Sequence, residues 1–187
     1  MATEPFVSIV VPTTGTVGYL HGMVKSVARL DYPRDRFELI LLGDAETPLL
    51  QRARELAQEG GIALQVILDP VAAGEKRNRG VAAAQGVFIA FTDDDTILRK
   101  DWLRAAVRHL ARNPDYAGVG GPNFTPREGL PFAKAVGRIF GSKFLFRFRY
   151  TSGHDEPREV DHNPTCNYVL RREAVASVGF HSTLWPG

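Results

Sequence analysis

Val87-Phe88-Ile89-Ala90-Phe91-Thr92-Asp93-Asp94-Asp95 is an apolar run closed by three consecutive carboxylates. A short β-branched and aromatic run of this kind predicts a buried strand. Three adjacent carboxylates repel one another and have no packing use. Alternate residues of an extended chain share a face, so Asp93 and Asp95 can converge on one hard cation while Asp94 points away. Magnesium or manganese, held by one or two carboxylates with substrate phosphates completing its shell, suits such a pair. The plainer reading is an acidic turn capping the next helix, since aspartate is a good N-cap.

On both sides of this stretch, strands alternate with helices. Phe6 to Val11 predicts a buried strand closed by Pro12 and the loop Thr13-Thr14-Gly15. Leu20, Met23, Val24 and Val27 then recur at helical spacing up to Leu30. Phe37 to Leu42 predicts a second strand, Leu49 to Glu59 a helix stopped by Gly60-Gly61, and Ile62 to Leu68 a third strand. Gly74 to Gln85 and Trp102 to Arg112 are helical on either side of the aspartate strand. Such alternation predicts an α/β fold with a parallel sheet, and open sheets bind ligands at the carboxyl ends of their strands. Three of those ends carry Thr13-Thr14, Asp44 and Asp93 to Asp95. That convergence favours a ligand site over a helix cap.

Composition narrows the class. The 187 residues suffice for one domain that buries roughly 70% of its unfolded surface. A net charge of +2 argues against a dedicated nucleic-acid binder. One cysteine, Cys166, excludes an internal disulfide, suits a reducing compartment and reads as a buried small apolar residue. No apolar run approaches the ~18 residues of a membrane span, and the N-terminus lacks the pattern of a signal peptide. A cytoplasmic protein is expected.

The motifs together resemble the family 2 glycosyltransferases, which have the GT-A fold, a Rossmann-like and mostly parallel sheet with flanking helices. Val7-Ser8-Ile9-Val10-Val11-Pro12-Thr13 is similar to their first strand and turn. Leu30-Asp31-Tyr32-Pro33 with Phe37 to Asp44 is similar to their second strand and its nucleotide-contacting aspartate. Gly74-Glu75-Lys76-Arg77-Asn78-Arg79-Gly80 resembles their Arg-Asn-x-Gly helix, and Ile89 to Asp95 their DxD strand. Asn167 to Glu173 with Val178-Gly179-Phe180 resembles the Arg-Arg-Glu segment and the Gly-Phe that follows it. The matches run in the family's order from residue 6 onward.

The resemblance implies inverting transfer of a sugar from a nucleotide-diphospho-sugar, a UDP-sugar on family grounds, to a hydroxyl of a glycan or lipid-linked acceptor in envelope glycan synthesis. It implies that Pro12, Thr13 and Thr14 line the nucleoside and that Asp44 accepts from the base. Lys76 and Arg77 would lie beside the nucleotide, with a plain solvated helix face as the alternative, because the family often has alanine at the place of Lys76. Asn78 could simply hold the helix to a loop. Asp94 would sit by the ribose or sugar, and Asp93 with Asp95 would hold Mn2+ or Mg2+. The domain would span 1–187, with a donor-binding part over about 1–125 and an acceptor side over about 126–187.

Two departures stand out. Gly43 takes the first place of a pair that is commonly two aspartates. The acidic pair containing the general base is expected just beyond Gly187, so the resemblance implies a C-terminally incomplete enzyme; Asp155, Asp161 and His162 are in-chain acids and bases out of the matching place. From Pro131 to Tyr150, five basic residues interleave with phenylalanines and no acid intervenes, which suits a membrane surface, an acceptor flap or snorkelling arginines over core. Two other functions compete with transfer. One is a nucleotide-sugar-binding module without turnover. The other is a haloacid-dehalogenase-type phosphatase using Asp93, which requires the motif on the first strand.

Overall fold

Both faces of the central strands are covered, which is why these strands are apolar at nearly every position instead of alternating. The computed structural model describes residues 4–15, 18–124, 135, 159–160 and 163–181. Apart from Ala135, the basic and aromatic segment Pro131 to Tyr150 lies outside the described residues, as do Asp155, Asp161, His162 and the residues after His181. The elements are β1 (Val7–Pro12), α1 (Leu20–Val27), β2 (Phe37–Gly43), α2 (Pro48–Glu59), β3 (Ala63–Leu68) and α3 (Ala73–Ala83). They continue as β4 (Phe88–Thr92), α4 (Trp102–Arg112), β5 (Gly118–Gly120), β6 (Asn167–Arg171) and α5 (Arg172–Val178).

Among the described residues the strands form one sheet in the order β3-β2-β1-β4-β6-β5. The first four are parallel, and β6 runs antiparallel to both β4 and β5. Strand parity assigns the two cores. Val7, Ile9 and Val11 with Leu39, Leu41 and Ala90 pack among residues of α1, α2 and α4, including Met23, Leu50 and Leu103. Val10, Ile40, Leu42, Ile89, Phe91 and Leu170 pack with Val81 of α3 and Val175 of α5. The molecule is a three-layer α/β/α sandwich with α3 and α5 alone on one side among the described helices.

Local chemistry sets the boundaries. Thr47 caps α2: its Oγ1 accepts from the Leu50 N–H at 3.2 Å and donates to the Gly15 carbonyl at 2.9 Å. Pro48, with its φ preset for a helix, takes the first turn. The same threonine therefore ends one loop and starts one helix. At Gly80 a Cβ would collide with Val10 and come within 3.1 Å of Leu42 Cδ1, so this glycine lets α3 lie unusually close to β1 and β2.

Following the chain from β1, the order grows outward through β2 and β3, then returns to β4 on the other side of β1. The reversal falls between β1 and β4, and doubly wound sheets bind ligands beyond the carboxyl ends of the strands at such a point.

Candidate active site

Thr13, Asp44, Asp69 and Asp93 to Asp95 follow the last residues of β1, β2, β3 and β4, and α3 answers the strand-end acids with three bases. Lys76 Nζ lies 2.6 Å from Asp44 Oδ1 and donates to the Thr13 carbonyl at 2.8 Å. Arg77 Nη2 donates to Asp93 Oδ1 at 3.2 Å. Arg79 pairs with Asp69 and, at 3.4 Å, with Glu75. Lys76 and Arg77 are only 4% and 6% exposed. The solvated-face alternative for them therefore fails, because a buried cation persists only where it is paired.

Thr13 ties β1 to β4. It is buried, its Oγ1 donates to Asp94 Oδ2 at 2.5 Å, and the same oxygen accepts from the Gly15 N–H at 2.9 Å. Its own N–H donates to the Leu42 carbonyl at 2.9 Å. Pro12 is half-buried and Thr14 is exposed on the loop that follows. Asp94 thus turns toward β1, to which Thr13 ties it. The chain has left the extended strand conformation by Asp93: the Thr96 N–H and Oγ1 both donate to its carbonyl, at 3.3 and 2.8 Å.

Burial pushes the carboxyls of Asp93 and Asp94 above the ordinary aspartate range. Arg77 opposes the shift at Asp93, Thr13 opposes it at Asp94, and the neighbouring charge of Asp95 raises both. Asp95 itself is exposed. None of the three caps a helix, since α4 begins only at Trp102 with Asp101 at its N-cap. Among the described residues no group of three or more acidic, histidine or cysteine side chains is placed to hold an ion. A half-buried carboxylate, Asp93, with an exposed one two residues on, Asp95, is a donor set that suits a hard cation taking its remaining ligands from water and phosphate.

Asn78 and Phe180 add a feature that spacing alone does not show. Asn78 Nδ2 donates to the Phe180 carbonyl at 2.9 Å, and its Oδ1 accepts from the Phe180 N–H at 2.7 Å. The Phe180 ring meets Phe91 edge-on at 5.1 Å and lies 5.7 Å under the Arg77 guanidinium. Gly179 reaches this position at φ +69°, which favours glycine. The holding role considered for Asn78 is the one observed. Cys166 is half-buried, less enclosed than the buried apolar residue expected: Asn123 Nδ2 donates to its Sγ at 3.2 Å, and burial pushes its thiol pKa up. The Asp69–Arg79 pair was missed altogether, although an acid closing β3 and a third base on α3 were both visible.

The model of the family described as Glycosyl transferase family 2 matches residues 8–179. TarS of Staphylococcus aureus, a poly(ribitol-phosphate) beta-N-acetylglucosaminyltransferase, is 28% identical over 105 residues, 55% of this chain and 18% of that protein. TuaG of Bacillus subtilis, named for teichuronic acid biosynthesis, is 25% identical over 137 residues, 71% of this chain and 53% of that protein. This chain therefore spans about half or less of those relatives. The structure of residues 1–349 of TarS in complex with UDP superposes with a TM-score of 0.69 at 20% identity, covering 97% of this chain and 52% of that one. A mannosyltransferase of Pyrobaculum calidifontis in complex with GDP-Man and Mn2+ gives 0.68 at 21% identity, covering 97% and 49%. These structural likenesses concern the fold.

Proposed function

Because the chain belongs to glycosyl transferase family 2 and has the GT-A fold, we propose that it binds a nucleotide-diphospho-sugar at the carboxyl ends of β1 and β4 and takes part in inverting transfer of the sugar to an acceptor hydroxyl. One observation carries this reading. Thr13, Asp44 and Asp93, which lie far apart in sequence, meet at the carboxyl ends of their strands and are held by Lys76 and Arg77, with Thr13 also bonded to Asp94. In this reading Pro12, Thr13 and Thr14 line the nucleoside, Asp44 accepts from the base, and Asp94 lies by the ribose or sugar. Arg77 orients Asp93 and lies beside the diphosphate. The phosphatase alternative needs Asp93 on the first strand, whereas three strands precede β4.

Asp93 and Asp95 would hold Mn2+ or Mg2+, which when bound offsets charge on the departing nucleoside diphosphate. In the transfer the acceptor oxygen bonds to the anomeric carbon as the bond to the diphosphate breaks. The hydroxyl proton passes to a general base outside the described residues. The acceptor we propose is a hydroxyl on an envelope glycan or lipid-linked chain, a reading supported by the names of TarS and TuaG. The basic and aromatic composition of residues 131–150 supports contact with a membrane surface. Among the described residues no helix is long and apolar enough to cross a membrane.

Calorimetric titration of UDP and GDP, with and without Mn2+, tests the reading. Metal-dependent binding of either nucleotide, lost in Asp95→Ala, is expected. No binding of any nucleotide under any metal condition would overturn it.

A further inference from the structure

Lys76 is the unexpected member of this site. A lysine side chain only 6% exposed lies against an aspartate carboxylate that is 41% exposed. The carboxylate lies just past the end of β2, partly open to solvent, with one of its two oxygens, Oδ1, committed to a buried ammonium at 2.6 Å. The ammonium is itself fixed by the Thr13 carbonyl at 2.8 Å, so it cannot swing away without abandoning a buried acceptor. Resting on the proposed nucleotide site, we infer that Lys76 determines which nucleobase Asp44 accepts, favouring uracil over guanine and excluding cytosine.

The argument is donor and acceptor matching. An ionised carboxylate has two acceptor oxygens and no donor, whereas an ammonium only donates. Guanine presents two adjacent N–H groups, which pair best with both oxygens of one carboxylate. Uracil presents a single N–H flanked by carbonyls. With Oδ1 committed, Asp44 serves one donor well and two poorly. The ammonium beside Oδ1 attracts a flanking base carbonyl and repels the positive edge of an exocyclic amino group. Neutral cytosine offers a ring acceptor where uracil has its N–H, so it sets lone pair against carboxylate. Buried polar groups left without their complement make such mismatches expensive.

The test is calorimetric titration of UDP, GDP and CDP, with Mn2+, into the wild-type chain and into Lys76→Met and Lys76→Gln. Methionine keeps the apolar stem and removes the cation; glutamine retains a donor, so one of the two should fold if the other does not. The wild type is expected to bind UDP about tenfold or more tighter than GDP, with CDP weakest. In Lys76→Met the UDP-to-GDP preference is expected to fall by about tenfold, because Asp44 regains both oxygens, and in Lys76→Gln by less, because the amide can still donate to one of them. A merely structural Lys76 would weaken all three nucleotides together and leave their ratios unchanged, which overturns the inference. Equal or tighter binding of GDP by the wild type overturns it as well, while leaving the nucleotide-sugar reading intact. Failure of the wild type to bind any of the three removes both.

Discussion

The residues that carry this site are acids held at a disadvantage. Asp93 and Asp94 titrate above the ordinary aspartate value because burial disfavours their charge. A folded-state pKa raised in this way confers stability that is present in acid, below the unfolded value, and is lost as pH rises through the folded one. At neutral pH both carboxylates therefore oppose folding. Asp94→Asn keeps an acceptor for Thr13 and removes the charge, so it is expected to raise the melting temperature by roughly 2 °C at neutral pH, a modest gain because Asp94 is only half-buried. The gain should vanish in scans run below the ordinary aspartate pKa. Three adjacent carboxylates behind an apolar strand made this site legible from sequence. The identity of their partners was not, because a Lys-Arg pair on a helix reads the same whether it meets water or two strand ends.

At the scale of elements, the strands were legible for a physical reason. Strands buried on both faces must be apolar at successive positions, and β1, β2 and β4 are. Strands β5 and β6 were harder to see. The former is three residues long with two glycines, and β6 gains its place by antiparallel pairing with β4, remote in sequence. Helix α3 was legible as a helix but not as the element that sets the site's depth. Gly80→Ala should test this. Alanine gains up to about 1 kcal/mol in helix propensity, but forcing a methyl against the stiff β-branched Val10 costs about 1–3 kcal/mol. A net loss of roughly 1–2 kcal/mol is expected in urea unfolding, together with weaker UDP binding as Lys76 is lifted from Asp44.

Across the whole molecule, long-range contacts join the stretch that follows α5 to the helix under the site. Asn78 pairs with both backbone groups of Phe180, and Gly74 lies so close to His181 that a Cβ there would come within 3.0 Å of its carbonyl oxygen. Asn78→Ala leaves these groups without their partner and is expected to cost about 2 kcal/mol, read as a lower melting temperature. Hydrogen exchange should rise at residues 179–181 more than in β1 or β4. The α/β architecture was legible because alternation of elements is a property of the whole chain, whereas this clasp depends on one amide meeting one backbone position. Helix α3 carries its three cations on a single rigid rod, each aimed at the end of a different strand. A slip of that rod by one residue would misplace all three together. The three pairings are therefore coupled through one element, like pins on a common bar, and a change that moves α3 is expected to loosen all three at once.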